Sequence, residues 1–176
     1  MCVTNPKDYA VALMTQKILL LVATFFNVGK FPKAPGTMGT LATIPIWWLL
    51  AQQGPIIYMA VTFLLIPIGA IAAQAYINHT NTHDAQEIVI DEVVGYLITM
   101  TWLPITWQSA VIGFFIFRFF DIVKPPPIRN LDRRIKGGFG VMVDDIAAGI
   151  IGSVIMQLLY TQTNYLGAQI TTLTTI

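Results

Sequence analysis

The sequence predicts an all-α fold, a polytopic helical bundle built into a membrane. Three observations carry that prediction: 55% of the 176 residues are hydrophobic, only 11% are charged, and the charges fall in islands between long uncharged runs. An ordinary soluble domain carries about 25% charged residues. Mean hydropathy is +0.67. No Lys, Arg, Asp or Glu occurs in residues 34–83, 93–117 or 146–176. A chain of this length accommodates one such unit, with about five membrane helices, rather than two separate cores.

The elements follow from those runs in order. Residues 18–26 form an apolar run behind Lys7 and Lys17 that imitates a signal peptide, but Asn27, Val28 and Gly29 offer no small-x-small cleavage site, so the segment is expected to be retained. It is too short to cross a bilayer and is expected to lie along the interface. Residues 38–53 and 55–77 read as two helices joined at Gln52-Gln53-Gly54-Pro55, where Gly and Pro punctuate a turn. At about 1.5 Å per residue the second of these covers a hydrocarbon core of about 30 Å, with a kink invited at Pro67. The run 93–103 covers only about 17 Å, so its helix is expected to begin earlier, near Asp84 or Glu87, or to be re-entrant. The next run starts after Leu103-Pro104, and 146–160 is the last, followed by a Thr-rich tail expected to fray. The expected organisation is an N-terminal segment 1–28, a membrane-embedded unit 29–162 and a polar tail 163–176.

Orientation follows from the basic residues. Lys30, Lys33, Lys124, Arg129, Arg133, Arg134 and Lys136 all lie in segments that out-and-back hairpins return to one side, while 52–55 and 103–107 hold none. The positive-inside rule then places the islands 29–40, 79–92 and 118–145 on one cytoplasmic face. Ten Lys and Arg against nine Asp and Glu leave a net charge of +1, without the basic face that nucleic acid requires. Cys2 is the single cysteine, which excludes an internal disulfide framework and any multi-cysteine metal site.

Eight of the nine acidic residues fall between Asp84 and Asp145, beside apolar helices where unpaired charge is costly. Asp84, Glu87 and Asp91 have the spacing of one helical face, with Glu92 about 100° round from Asp91. Arg118, Asp121 and Lys124 are three apart and share a face, and Asp144 and Asp145 are expected to open the last helix. Carboxylates from several helix ends suit a hard cation such as Mg²⁺ better than zinc. Plainer explanations stand beside this one. Asp144 and Asp145 sit where acids stabilise any helix start, Arg118 and Asp121 neutralise one another as a structural pair, and Glu87 and Asp132 read as solvated surface groups. His79 and His83 have i, i+4 metal spacing but fall in a run that reads as a loop or a fraying helix end.

Two glycine-bearing segments remain. Residues 29–40 lack the Gly-Lys-Ser/Thr of a Walker A loop, yet Gly36 and Gly39 let a phosphate approach the backbone, a helix start supplies N–H groups and Lys33 adds a cation. The same segment also reads as a basic turn before a membrane helix. Gly137-Gly138-Phe139-Gly140 reads as a hinge or as a loop admitting a headgroup. Lys124-Pro125-Pro126-Pro127-Ile128-Arg129 is stiff, because three prolines fix φ.

Four segments in order resemble the phosphatidylglycerophosphatase A family of bacterial phosphatidylglycerol synthesis. They are Ala34-Pro35-Gly36-Thr37-Met38-Gly39-Thr40-Leu41; His83-Asp84 with Ile90-Asp91-Glu92-Val93-Val94-Gly95; Phe117-Arg118-Phe119-Phe120-Asp121-Ile122-Val123-Lys124-Pro125; and Gly137-Gly138-Phe139-Gly140-Val141-Met142-Val143-Asp144-Asp145-Ile146-Ala147-Ala148-Gly149. Thr40 stands where the family often has Ser, and Pro126 where it tends to an aromatic. The resemblance implies a Mg²⁺-dependent hydrolase that converts phosphatidylglycerophosphate in the bilayer to phosphatidylglycerol and phosphate, on the cytoplasmic face of the bacterial inner membrane. On it, Asp91, Glu92, Asp121, Asp144 and Asp145 are expected to hold Mg²⁺ and position the nucleophile, and Lys33, Gly36, Thr37, Arg118 and Lys124 to bind substrate. A small ion or proton transporter and a metal-dependent phosphatidyl transferase use similar residues; the first needs polar groups at mid-membrane, the second releases a nucleotide.

Overall fold

The computed structural model describes residues 6–82, 85–126 and 135–167, and among them six α-helices and no strand. Helix α1 spans Pro6–Ala23 and leads through a 3₁₀ turn, Val28–Lys30, to α2, Pro35–Ala51. Pro35 opens α2 at a position whose N–H has no helical partner anyway. Gly54, at φ 91°, turns the chain into α3, Pro55–Thr80, which runs through Pro67. Helix α4 is Ile90–Thr99 and α5 is Trp107–Val123, where the Thr106 side chain caps the start by accepting from Ser109 N–H at 3.1 Å. Helix α6 is Gly137–Gln162.

Two expectations are corrected. Helix α6 begins at Gly137, so Gly137-Gly138-Phe139-Gly140 is its first turn, neither hinge nor loop, and Asp144 and Asp145 lie about two turns inside. They therefore neither open the helix nor cap it. The cause is packing: a Cβ on Gly138 would stand 2.2 Å from Ala70 O, so the glycines let α6 seat directly on α3. Helix α4 begins at Ile90, not at 84 or 87, because Ile88 N–H donates to Ala85 O and Val89 N–H to Ala23 O, both at 3.0 Å, and so the preceding residues form a turn tied to α1. Glu87 and Asp91 thus do not share a helical face, and Asp84 lies outside the described residues. Ten residues make about 15 Å, too short to cross. His79 belongs to the last turn of α3, a helix end as one of the two readings of its run had it, and its Nδ1 lies 3.2 Å from Gln16 Nε2. His83, Arg129, Asp132, Arg133 and Arg134 lie outside the described residues, as does the tail beyond 167. In the described part of the polar tail, 163–167, Leu166 is buried, and its carbonyl accepts from the Thr106 hydroxyl at 2.6 Å.

Helices α4 and α6 cross where small residues allow contact, since a Cβ on Gly149 would fall 2.5 Å from Gly95 O. Around that crossing Tyr96, Leu97, Phe117, Met142 and Met156 are buried. The outward faces are also apolar: Leu49 on α2, Ile56 and Phe63 on α3, Phe115 on α5, and Ile150 and Leu158 on α6 are all exposed. Helices α3 and α6 are long and apolar enough to cross a membrane. Helices α2 and α5, 17 residues each, reach about 25 Å. Chain direction brings the starts of α2, α4 and α6 and the ends of α3 and α5 to one end of the bundle, the end that carries the charges.

Candidate active site

At that end a cavity of about 630 Å³ opens between four helix ends. The start of α2 contributes Ala34, Pro35 and Gly36, and the first turn of α4 contributes Asp91 and Glu92. Arg118, Asp121 and Lys124 come from the end of α5. Gly137, Gly140, Val141 and Asp144 line it from α6, spaced i, i+3, i+4, i+7 and so along one face, with Asp145 beside them. Two glycines keep that face low.

Asp91, Glu92 and Asp145 each offer an oxygen within 4.8 Å of the others. Asp91 Oδ1, Glu92 Oε2 and Asp145 Oδ2 are buried and have no hydrogen-bond partner among the described residues. Such orphaned oxygens are costly unless a cation or proton satisfies them. Burial, and then the neighbouring Glu92 charge, hold the Asp91 carboxyl well above the usual carboxylate range, and burial raises Glu92 as well. Three hard oxygen donors converging in this way fit a divalent cation of the Mg²⁺ class.

The other two carboxylates face cations of the chain itself. Arg118 Nη1 donates to Asp121 Oδ2 and lies 3.7 Å from Glu92 Oε1, and Lys124 Nζ donates to Asp144 Oδ2. The acidic set expected to act together is therefore divided into three converging carboxylates and two that hold Arg118 and Lys124 at the cavity wall. Arg118 and Asp121 do form the pair that the plainer explanation required, but the pair lines the cavity and also touches Glu92.

Gly36 lines the cavity, and its bare Cα leaves the space that Glu92 Oε1 and Arg118 Nη1 occupy. Gly39 is bare for another reason, since Val89 packs against it. Lys33 is exposed and Thr37 half-buried, and neither side chain lines the cavity. Ala34 gives the α2 start no side-chain cap, which leaves early backbone N–H groups at the cavity edge, where an anion is favoured. Lys136 lines the cavity without having been singled out as a site residue; its signal was its place at the end of the basic run Arg133-Arg134-Ile135-Lys136, directly before Gly137-Gly138.

The chain is 43% identical over 137 residues to the phosphatidylglycerophosphatase A of Escherichia coli, a match covering 77% of this chain and 80% of that protein. It is 39% identical over 138 residues to the phosphatidylglycerophosphatase A of Haemophilus influenzae, covering 77% and 85%. A Bacteroides thetaiotaomicron protein whose name proposes a phosphatidylinositol-3-phosphatase is 35% identical over 144 residues, covering 78% and 90%. No solved structure matches significantly. The phosphatidylglycerophosphatase A family model matches residues 21–160 and so includes every side chain that lines the cavity; the chain belongs to that family.

Proposed function

We propose that this chain hydrolyses the terminal phosphate monoester of phosphatidylglycerophosphate, with Mg²⁺ held by Asp91, Glu92 and Asp145, at the cytoplasmic face of the bacterial inner membrane. The observation that carries the reading is the convergence of three carboxylates with unsatisfied oxygens beside Arg118 and Lys124 in one cavity. The names of the relatives from Escherichia coli and Haemophilus influenzae supply the substrate.

Water supplies an oxygen to phosphorus, the P–O bond to the glycerol carbon chain breaks, and the departing alkoxide takes a proton, leaving phosphatidylglycerol and phosphate. Mg²⁺, when bound, offsets charge on the transferring group and acidifies water. The chain does the rest. Arg118 presents a planar fork to two phosphate oxygens, Lys124 adds a point charge, and the N–H groups at the α2 start receive a third oxygen. Asp121 and Asp144 fix where those two cations stand.

Membrane residence is supported by the apolar outward faces, which water would not tolerate at this extent. Helices α3 and α6 cross, and α2 and α5, with local thinning or tilt, complete the wall around the short α4. At the end remote from the cavity Trp102, Trp107 and Tyr165 are exposed, as an aromatic belt requires. The phosphorylated headgroup then stays at the interface while the acyl chains remain among the helices.

The test is phosphate release from phosphatidylglycerophosphate by the detergent-purified protein, with and without Mg²⁺, beside phosphatidylinositol 3-phosphate as comparator. Release from the first lipid that needs both Mg²⁺ and Asp145 supports the reading. Preferential release from the inositol lipid, or release indifferent to the metal, overturns it.

A further inference from the structure

The cavity has two facing walls. One is the turn 85–88 with the start of α4, and the other is the start of α6. Helix α3 contributes no residue to the cavity lining but is hydrogen-bonded to both. Gln74 Oε1 accepts from Gly138 N–H at 2.8 Å, and Gln74 Nε2 donates to Asn78 Oδ1 at 2.9 Å. Tyr76, only 5% exposed, donates its hydroxyl to the Glu87 carboxylate. Residues two apart on a helix point about 200° away from one another, so Gln74 reaches one wall and Tyr76 the other.

Neither acid-bearing helix caps itself: Lys136 and Val89 make no side-chain cap at the starts of α6 and α4. Gln74 supplies that cap to α6 from another helix. On the opposite wall Gly29 is bare where Glu87 O passes, 2.0 Å from where a Cβ would stand, so the turn bearing Glu87 is seated in a fixed place. Deeper in the bundle Gly95 and Gly149 set how closely α4 and α6 approach. That crossing begins at Asp145, whose carbonyl oxygen is 2.8 Å from where a Cβ on Gly95 would stand, and continues to Gly149; the part of α4 before Gly95, which carries Asp91 and Glu92, and the part of α6 before Asp145 lie beyond it and are held by other contacts.

We propose that Gln74 and Tyr76 are positioning residues: the end of α3 holds the starts of α4 and α6 at the separation at which Asp91 and Glu92 from one, and Asp145 from the other, take a single divalent cation. This rests on the metal reading above. It assigns Tyr76, Gln74 and the exposed Glu87 a role that none of them fills by touching substrate.

The experiment is a Mg²⁺ titration of the full-length, detergent-purified protein, read as the shift of the thermal unfolding midpoint and, in parallel, as the Mg²⁺ constant for phosphate release. In Tyr76→Phe, Glu87→Ala and Gln74→Leu the half-saturating Mg²⁺ concentration rises about tenfold in both readouts, as is usual when the groups that orient metal ligands are lost. Glu87→Gln keeps an oxygen for the Tyr76 hydroxyl and retains the wild-type constant. A merely structural role lowers the unfolding midpoint and leaves the Mg²⁺ constant where it was, and that result overturns the inference. Glu87 is exposed, so Glu87→Ala carries the test even if Tyr76→Phe fails to fold. A wild-type protein whose midpoint ignores Mg²⁺ overturns the metal reading and this inference with it; a wild type that responds, with variants that respond identically, overturns this inference alone.

Discussion

The Glu92 carboxylate occupies the space that a side chain on Gly36 would fill: a Cβ there would stand 2.0 Å from Glu92 Oε1 and 3.1 Å from Arg118 Nη1. Gly36→Ala therefore drives out of place together the carboxylate proposed to hold Mg²⁺ and the guanidinium proposed to meet phosphate. Displacements of about 1 Å at a reacting centre cost about 10²-fold in rate, and that is the expected loss of turnover. Thermal unfolding should move little, because both side chains end at an open cavity.

Gly39→Ala should behave in the opposite way. Its Cβ would fall 2.9 Å from Val89 Cβ, a stiff β-branched wall buried in the core. Overpacking of this kind costs about 1–3 kcal/mol of stability. Turnover per folded molecule should stay closer to wild type than in Gly36→Ala. Unfolding midpoints and rates of the two purified variants check the pair, and an inverted order would show that the roles of the two glycines are exchanged.

Much of this was legible along the chain and some was not, for physical reasons. Alternation of uncharged runs with charged islands reports which ends of the helices face the same way, and the cavity is indeed lined from each island. The acidic residues stood out in the chain because they interrupt long uncharged runs, and Asp91, Glu92, Asp121, Asp144 and Asp145 all line one cavity. What misled was local grammar. Gly137-Gly138-Phe139-Gly140 has the composition of a break, yet it is helix because Ala70 and Gln74 of a distant segment demand bare backbone there. The position of Ile90 as a helix start depends on a hydrogen bond to Ala23, far away in sequence. The Arg118–Asp121 pair was legible as an i, i+3 spacing, but the convergence of Asp91, Glu92 and Asp145 and the pairing of Lys124 with Asp144 depend on helix rotation, which no spacing in the chain encodes. Tyr76 and Gln74 carry no motif, because their partners lie on other helices.

Asp121→Asn should lose far more activity than Glu87→Gln. Asp121 holds the guanidinium of Arg118 at the cavity wall, whereas Glu87 lies outside the cavity lining, and its amide analogue still accepts from Tyr76. A loss of about 10²-fold is expected for the first, from misplacement of a group that must meet the transferring phosphate. The second should stay within a few-fold of wild type. Turnover by the two purified, membrane-inserted variants at saturating Mg²⁺ decides the ranking, and comparable rates would refute it.

Asp145→Asn separates stability from function. In the absence of metal, Asp91, Glu92 and Asp145 press three carboxylates into one buried place, and removing one of them relieves that crowding by roughly 1 kcal/mol. The variant should therefore unfold at a higher temperature than wild type in chelator. With millimolar Mg²⁺ the order should reverse, because stabilisation by a ligand follows its affinity for the folded state and the variant has lost a ligand atom. Activity should be abolished under both conditions. Unfolding midpoints with and without Mg²⁺ give the answer, and a wild type that stays the more stable in chelator would mean the trio is not crowded.

The demand for Mg²⁺ should grow as pH falls, and should begin to grow above the range in which ordinary carboxyls titrate, about pH 4. The sign follows from the Asp91 and Glu92 carboxyls, which burial holds above their usual range. A raised pKa means that the proton is still bound at a pH where a surface carboxyl has lost it. A metal ligand must be deprotonated, so cation and proton compete for the same oxygens, and lowering the pH favours the proton. Each proton displaced makes the half-saturating Mg²⁺ concentration rise about tenfold per pH unit below the pKa. Mg²⁺ titrations of phosphate release at a series of pH values should show that rise, with the maximal rate at saturating metal falling less steeply. An Mg²⁺ constant that stays flat down to pH 5 would place the cation on oxygens other than these two.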